Sequence, residues 1–434
     1  MPRTVRTSSL AILLVTANLM MHPASAQPKG FNYDEAKVPD YSLPDLLTTS
    51  SGQKISSAEQ WMQQRRPEVL ELFRQHVFGR RPEPVDSLRT RVRSSKEVFD
   101  GKALRREITI FFTKDDTGPQ MDMLVYTPTD TQRPVPCFLG LNFHGNHSVD
   151  ESDDLHITTS WVRNDTGRGN IDHKATEKSR GKSSSRWPAQ MITDRGYGLA
   201  TIYYGDIDPD FDDGFRNGIH AMTEAGRTGE SRASDAGGSI SAWSWGLSHA
   251  LDVLETDPHV DGDRVAVFGH SRLGKTSLWA GATDPRFALV ISNNSGCGGA
   301  ALARRRFGET VARINTSFPH WFCLKHRDYN DNEDEMPVDH HMLMALMAPR
   351  PVYVASAVED QWADPRGEML SLYHAGPVYE LFGRRGLPTD QLPPLNEPIH
   401  TDVGYHIRRG KHDVTDFDWT AYMDFADRHL KPQK

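Results

Sequence analysis

The chain has 434 residues, 37% of them hydrophobic, and a formal charge of −8 from 50 basic and 58 acidic side chains. This composition excludes a disordered or collagen-like chain, and the acidic balance argues against a nucleic-acid partner, because proteins that bind phosphate backbones carry a basic excess. With only three cysteines, the fold cannot depend on a disulfide framework, although a pairing of Cys297 with Cys323 stays open.

The first 26 residues have the pattern of a secretory signal peptide. Arg3 and Arg6 give a positively charged start, Leu10 to Leu19 is mostly apolar, and the Ala-Ser-Ala stretch at 24–26 matches a small-residue cleavage site. The apolar run is short for a bilayer span, which favours a cleaved leader over an anchor. We therefore expect a secreted or periplasmic protein whose mature chain has no membrane segment.

The first part of the mature chain predicts a helical region followed by strands. Ala58 to Phe78 has apolar residues at helical spacing, and Pro67 is expected to split or kink it. Residues 89–112 and 120–126 alternate apolar and polar side chains, as half-buried antiparallel strands do.

The rest of the chain alternates apolar runs with helical patterns. Runs that are apolar on both faces are typical of parallel strands covered by helices on each side. These runs are Cys137 to Phe143, Gly198 to Tyr203, Arg264 to Phe268, Leu289 to Ile291 and Pro351 to Ala357. An amphipathic helix is predicted at Ser241 to Leu254. The pattern predicts an α/β protein, a three-layer α/β/α sandwich with a mostly parallel central sheet.

Two polar segments, about 146–185 and 206–239, interrupt this alternation. Each follows a predicted strand, so each should lie at the carboxyl edge of the sheet, where such folds bind ligands. We expect them to be insertions that shape a substrate cleft, the alternative being solvated loops of no special role. No linker separates two folded units, so residues 27–434 are expected to form one domain. A monomer is a separate expectation, which the sequence does not decide.

Two interpretations compete for Gly269 to Thr276. The segment satisfies the P-loop pattern G-x-x-x-x-G-K-[ST], in which Lys275 would reach phosphate oxygens. It also fits a nucleophile elbow, usually G-x-S-x-G, with the second glycine displaced by one position to Gly274. The predicted export and the lack of a convincing Walker B strand favour the elbow. Ser271 is then the candidate nucleophile, above the carboxyl edge of the sheet.

A serine nucleophile needs a base that is oriented by an acid, and in α/β-hydrolases both follow the serine, the acid first. Acids follow the predicted strand that ends at Ala357, and Asp360 has the best offset, with Glu359 and Asp364 as rivals.

The base should lie just before the last helix. His412 suits that place better than His400 or His406. The oxyanion formed on attack needs donors. The backbone N–H of Arg272 is next to the nucleophile and its guanidinium could reach the same oxygen, the alternative being a surface salt bridge.

Two histidine clusters could suggest a metal, one around Asp339-His340-His341 and one at His144 and His147. Neither has a convergent third ligand at helical spacing, so we expect neither a metal nor any other cofactor. The pair His144-Gly145 is more typical of a site rim. Trp243, Trp245 and Trp279 lie on predicted helices and are expected in the core, whereas Trp321 is ambiguous.

The sequence around the elbow resembles the glucuronoyl esterases, carbohydrate esterase family 15. Gly-His-Ser-Arg-Leu-Gly-Lys at 269–275 is similar to the G-x-S-R-x-G-K signature of that family. Supporting segments are Trp-Ser-Trp-Gly-Leu at 243–247, Ser-Gly-Cys-Gly-Gly at 295–299, Arg-Phe-Gly-Glu at 306–309 and Glu-Asp-Gln-Trp-Ala-Asp-Pro at 359–365. The resemblance extends from about Trp61 to the C-terminus.

This resemblance implies a serine esterase that hydrolyses the ester between (4-O-methyl)glucuronic acid of glucuronoxylan and a lignin alcohol. It also implies roles for individual residues. Ser271 is the nucleophile, His412 the base and Arg272 the oxyanion donor. Lys275 and Glu309 bind the sugar hydroxyls, and Trp362 packs against the ring.

Two positions depart from the fungal members of the family. The glutamate that completes their triad lies just before the Ser-Gly-x-Gly-Gly segment, where this chain has Asn294. An asparagine cannot supply the negative charge, so the acid must come from the later loop, where Asp360 lies. The cysteine that precedes the fungal serine, and its disulfide, are replaced by His270. An acetyl xylan esterase, a broad carboxylesterase and a non-catalytic carbohydrate-binding protein remain as alternatives.

Overall fold

A ten-stranded sheet forms the centre of the protein. The computed structural model describes residues 27–85, 88–131, 133–223 and 227–431, so the predicted signal peptide lies outside the described residues. The strands are β1 (Arg89–Val98), β2 (Ala103–Phe111), β3 (Gln120–Pro128), β4 (Val135–Asn142), β5 (Gly198–Tyr203), β6 (Val260–His270), β7 (Leu289–Asn293), β8 (Val352–Ala357), β9 (Ile399–His400) and β10 (Gly404–Arg408). Their order across the sheet is β1-β2-β3-β5-β4-β6-β7-β8-β10-β9.

Six adjacent strands, from β5 to β10 in the sheet order, run parallel to one another. Antiparallel strands flank them, β1 to β3 on one side and β9 on the other. Because the central strands are parallel, their carboxyl ends meet at one edge of the sheet. That edge is where the predicted nucleophile, acid and base lie.

Helices cover both faces of the sheet. They are α1 (Ala58–Gln60), α2 (Arg66–His76), α3 (Ala189–Asp194), α4 (Tyr204–Ile207), α5 (Gly218–Thr223), α6 (Ser239–Leu254), α7 (Arg272–Thr283), α8 (Val311–Ser317), α9 (His340–Ala345), α10 (Pro365–His374), α11 (Gly376–Leu381) and α12 (Asp416–His429). A π-helical segment, Trp61–Arg65, joins α1 to α2, and Pro67 lies in the first turn of α2. The missing N–H of Pro67 removes one helical hydrogen bond, which is consistent with the predicted interruption.

Alternate residues of each strand enter two separate hydrophobic clusters. On β6, Val265 and Val267 belong to the larger cluster with α2, α6, α7 and α9, whereas Ala266 and Phe268 belong to the smaller one with α3 and α12. Trp243, Trp245 and Trp279 are fully buried in the larger cluster. The predicted three-layer α/β/α architecture is confirmed.

The prediction of half-buried strands near the N-terminus is wrong in detail. β1 is exposed along almost its whole length, whereas β2 is buried on both faces. Two arginines of β2 are buried with ionic partners, since Arg105 pairs with Asp154 and Arg106 with Asp257. A polar side chain in a strand pattern therefore does not mark the solvent face here.

Other differences concern the end of the chain and the cysteines. The buried strand β10, which leads to His412, was not predicted. All three cysteines are buried and free, so Cys297 and Cys323 do not form the pairing left open above. Among the described residues, no helix is both long and apolar enough to cross a membrane.

Candidate functional site

The turn between β6 and α7 carries Ser271 in a strained conformation. Its φ of 58° and ψ of −129° lie in a backbone region that residues other than glycine seldom adopt. A Cβ on Gly269 would come within 1.8 Å of the carbonyl oxygen of Leu273, and one on Gly274 within 2.9 Å of Cβ of Ser295. Close packing thus requires glycine at both positions, including the displaced one.

Asp360 and His412 form a hydrogen-bonded pair at the same edge of the sheet. Nδ1 of His412 lies 2.6 Å from Oδ2 of Asp360, and the amide of Asn294 donates to that oxygen over 2.8 Å. Asp360 is buried, whereas the side chain of His412 is 41% exposed. The pair has the geometry of an acid that orients a base whose other ring nitrogen is free to act.

The other candidate acids and bases do not form such a pair. Asp364 binds Arg305 over 2.8 Å and caps α10, while Glu359 is exposed. His406, on β10, is buried against Asp418, and His400 lies on β9. Among the three candidate acids, all within the described residues, only Asp360 is hydrogen-bonded to His412.

His270 packs beside the base, with ring centroids 4.5 Å apart. It contacts Oδ1 of Asn293 through Nδ1 over 2.6 Å. Burial, helped by the nearby charge of His412, lowers the pKa of His270 well below its ordinary value. His270 is therefore a neutral ring that packs against His412.

A cleft of about 810 Å³ joins these residues to the predicted binding residues. All seven predicted site residues line it, together with segments that the sequence did not single out for the site. The lining residues are Gln27, Pro28, Ser271, Arg272, Lys275, Asn294, Ser295, Gly296, Glu309, Phe318, Trp321, Glu359, Asp360, Trp362, Ala363, Lys411 and His412. The cleft therefore brings a nucleophile, a base and buried charges to one surface.

Arg272 begins α7 directly after the nucleophile. Its backbone N–H belongs to the first turn of the helix, where N–H groups have no partner within the helix. Its guanidinium carbon lies 4.7 Å from the centre of the Trp321 ring, and its Nη1 donates to Asp210. The surface salt bridge considered as an alternative is wrong, because Asp210 is fully buried.

Lys275 and Glu309 form a buried pair of opposite charge on the cleft wall. Nζ of Lys275 donates to the carbonyl oxygen of Ser295 over 2.5 Å and lies 3.8 Å from Oε2 of Glu309. Burial lowers the pKa of Lys275 and raises that of Glu309, and the attraction between the two charges opposes both shifts. Hydroxyl groups that replace water between them would gain a donor and an acceptor together.

The N-terminal segment forms another wall of the cleft. Phe31 meets the Trp362 ring edge to face, with centroids 4.8 Å apart, and the side chain of Gln27 donates to the carbonyl oxygen of Glu359. The carbonyl oxygen of Asn32 accepts from Gly308, and Glu35 pairs with Arg305. Sequence reasoning missed this wall, since nothing in a polar N-terminal stretch indicates what it packs against.

Trp321, which the sequence does not assign to the core or to the site, lies in the cleft. It stacks on Phe318 with centroids 3.7 Å apart, and its indole N–H donates to Asp210. A tryptophan between two turns gives no periodic signal, so only the tertiary structure assigns it to the site.

Glu368 of α10 lies behind the site and fixes the loop after β7. Its Oε1 accepts from the backbone N–H groups of Ser295 and Gly296, and its Oε2 accepts from Ser356. Burial, reinforced by the nearby charge of Asp360, raises the pKa of Glu368 to about 8. This one buried carboxyl thus holds the loop that carries Asn294 and Ser295, whose carbonyl oxygen accepts from Lys275.

Several members of the two histidine clusters have structural partners. Asp339 caps α9 and binds Arg304, and His147 contacts Ser179 over 2.8 Å. His144 is half-buried and does not line the cleft. Within the described residues, no group of three His, Cys, Asp or Glu side chains has the geometry to hold a metal ion.

Comparison with known proteins gives a consistent set of relatives. Residues 231–383 match the family model "Glucuronyl esterase, fungi". A carbohydrate esterase from an unknown prokaryotic organism is 50% identical over 98% of this chain and 98% of its own length.

Solved structures agree with these matches. A promiscuous esterase of carbohydrate esterase family 15 from a marine bacterial metagenome superposes with a TM-score of 0.87 at 50% identity, covering 92% of this chain and 100% of that one. A glucuronoyl esterase from Solibacter usitatus has a TM-score of 0.86 at 46% identity, covering 91% of this chain and 99% of that one.

The buried carboxyl of Glu368 predicts a specific pH dependence of stability. Its folded pKa of about 8 lies above the unfolded value, so the folded state holds a proton that the unfolded chain releases as pH rises. This contribution is complete below the unfolded pKa and is lost as pH rises through about 8. Glu368→Gln, which does not titrate, should gain roughly 3 kcal/mol of unfolding free energy relative to the wild type between pH 6 and pH 9.

Urea unfolding at both pH values measures this difference. Glu359→Gln, the same substitution at an exposed side chain, is the matched control. A constant difference for Glu368→Gln would show that its carboxyl titrates as an ordinary one.

Proposed function

The chain belongs to carbohydrate esterase family 15, a family of carboxylic ester hydrolases, and on this basis we propose that it hydrolyses the ester between (4-O-methyl)glucuronic acid of glucuronoxylan and an alcohol of lignin. The observation that carries the proposal is the cleft in which the Ser271 turn and the His412–Asp360 pair face the buried Lys275–Glu309 pair. The first set supplies acyl transfer, and the second supplies recognition of a hydroxylated ring.

In the proposed mechanism, His412 removes the proton of Ser271 as the hydroxyl attacks the C6 carbonyl of the uronate. Asp360 keeps the imidazole oriented through Nδ1 and stabilises its charged form. The alcohol leaves with the proton from His412. Water, activated by the same imidazole, then releases the uronic acid from Ser271 and restores the free enzyme.

Arg272 is proposed to stabilise the oxyanion of each tetrahedral intermediate. Donors that are already in place cost no rearrangement when the charge appears, and removing one typically costs about 10²- to 10³-fold in rate. The backbone N–H of Arg272 directly follows the nucleophile in sequence, and Arg272 lines the same cleft as Ser271. The N–H groups of Arg272 and Lys275 would also be able to bind the carboxylate of the uronate product, although their positive charges are already paired with Asp210 and Glu309.

The sugar is proposed to lie between the Lys275–Glu309 pair and Trp362. Lys275 would donate to ring hydroxyls and Glu309 would accept from them, while the indole of Trp362 packs on the apolar face of the ring. Trp362 is supported by Phe31 from the N-terminal segment, so that segment contributes to substrate binding indirectly.

The cellular context follows from the leader and the substrate. We propose that residues 1–26 are removed as a signal peptide and that residues 27–434 act outside the cytoplasm as one monomeric catalytic domain. The segments 146–185 and 206–239 are proposed as insertions next to the cleft, although none of their described residues lines it. We propose that neither a metal nor another cofactor takes part. Polymeric glucuronoxylan cannot cross a membrane, so an exported enzyme suits this substrate.

The first experiment compares hydrolysis of benzyl glucuronate and 4-nitrophenyl acetate by the wild type and by Ser271→Ala. We expect rapid cleavage of the glucuronate ester, slow cleavage of the acetate and loss of both activities in the variant. Fast acetate turnover with little glucuronate cleavage would favour a broad carboxylesterase or an acetyl xylan esterase. Absence of both activities in the folded wild type would favour a binding protein.

Substitution of the acid tests the triad. Asp360→Asn should lower kcat by about 10²- to 10⁴-fold, because the amide cannot stabilise the charged imidazole of His412. The same assay on Glu359→Gln, an exposed neighbour, should give a rate close to that of the wild type. A near-normal rate for Asp360→Asn would show that another acid orients His412.

Removal of the Phe31 ring tests the N-terminal wall. Phe31→Ala should raise KM for benzyl glucuronate about two- to tenfold with little change in kcat, because an aromatic pair contributes about 0.5–1.5 kcal/mol. Met62→Ala, an exposed position 44% accessible to solvent, serves as the control. An unchanged KM would mean that Trp362 keeps its place without Phe31.

A further inference from the structure

Asp210 has an unusually complete set of hydrogen-bond donors for a residue that no motif singles out. Its side chain is fully buried, and it lies in the segment 206–239 after β5. Its Oδ1 accepts from His320 and Trp321 over 2.9 and 2.8 Å. Its Oδ2 accepts from Tyr204 over 2.8 Å, from Arg163 over 3.2 Å and from Nη1 of Arg272.

These donors keep Asp210 ionised. Burial by itself would raise the pKa of the carboxyl, but the charge of Arg272 and the hydrogen bonds from His320 and Trp321 outweigh it and hold the pKa far below the ordinary value. A negative charge in a water-poor site attracts a neighbouring cation more strongly than a surface carboxylate does.

Arg272 is otherwise surrounded by rings. Its guanidinium carbon lies 4.7 Å from the ring centre of Trp321, 5.4 Å from that of Phe318 and 5.6 Å from that of Phe143. Aromatic faces attract a cation but do not fix the direction of its N–H groups. Among the described residues, Nε of Arg272 is buried with no hydrogen-bond partner. The direction of the guanidinium therefore depends on Asp210.

We propose that Asp210 is a positioning residue that fixes the guanidinium of Arg272 beside Ser271, so that its remaining N–H groups meet the oxyanion without rearrangement. The inference rests on the proposed role of Arg272 in ester hydrolysis. Trp321, Tyr204 and His320 orient the carboxylate, and the carboxylate orients the arginine. The segment after β5 thus contributes to catalysis without touching the substrate.

A double-mutant cycle tests this dependence. Asp210→Asn keeps the shape of the side chain and removes its charge, and we expect kcat for benzyl glucuronate to fall about 10- to 100-fold with KM changed less than about threefold, because an interaction made only in the transition state affects kcat. In the Arg272→Gln background, the same substitution should change kcat less than about twofold, since two residues that act as one unit are not additive.

The matched control is Arg163→Gln. Arg163 contacts the same carboxylate oxygen, but its side chain is 52% exposed, and we expect kcat within about twofold of the wild type. If Asp210 is only structural, Asp210→Asn will lower kcat by the same factor with and without Arg272, which overturns the inference.

A second measurement leaves Asp210 intact, in case Asp210→Asn does not fold. Arg272→Ala removes the guanidinium but keeps the carboxylate that holds it. Added guanidinium ion at millimolar concentration should restore kcat at least fivefold and saturably, whereas urea, a neutral molecule of the same shape, should not. Equal effects of guanidinium and urea would overturn the inference.

These experiments also distinguish a failure of this inference from a failure of the proposed function on which it rests. A wild type without Ser271-dependent hydrolysis would overturn both. Full activity of Arg272→Gln would overturn the role of Arg272 and, with it, that of Asp210. An active enzyme that loses rate in Arg272→Gln and shows an additive cycle would overturn only the positioning role of Asp210.

Discussion

The close approach of Gly269 to the carbonyl oxygen of Leu273 is the constraint on which the rest of the site depends. It allows β6 to turn into α7 within one residue, and the price of that turn is the strained backbone of Ser271. The strain persists because β7 pairs with the end of β6 up to His270, and the N–H of Ser271 donates to the carbonyl oxygen of Asn293. The first turn of α7 then carries Arg272 and Lys275, so one geometric requirement places three functional side chains.

Parallel pairing also aligns the ends of the neighbouring strands with the end of β6. His270 at the end of β6 is in register with Asn293 of β7, and Asn293 is in register with Ala355 of β8. Asn294 and Asp360 follow directly from these ends, and β10 leads to His412 on the far side of β8. The hydrogen bonds of Asp360 with Asn294 and His412 therefore join loops from three adjacent strands.

Charge in the cleft is distributed in compensated pairs. Asp210 with Arg272, Glu309 with Lys275 and Asp360 with His412 each place a carboxylate next to a group that is cationic or becomes so during the reaction. A single charge in such a buried site would be costly, whereas a paired and hydrogen-bonded charge is tolerated. The pairing offsets the cost of burying these charges, which suits the proposed reaction, in which negative charge appears on one oxygen.

The sequence by itself determined the architecture and the family, because apolar runs on both strand faces and the Gly-His-Ser-Arg-Leu-Gly-Lys segment are local signals. It also narrowed the acid to three neighbours, of which the structure pairs Asp360 with His412. Only the tertiary structure decided the burial of β2, the N-terminal wall around Phe31, the position of Trp321 and the five donors on Asp210. Each depends on contacts between residues far apart in sequence, for which neither periodicity nor spacing carries information.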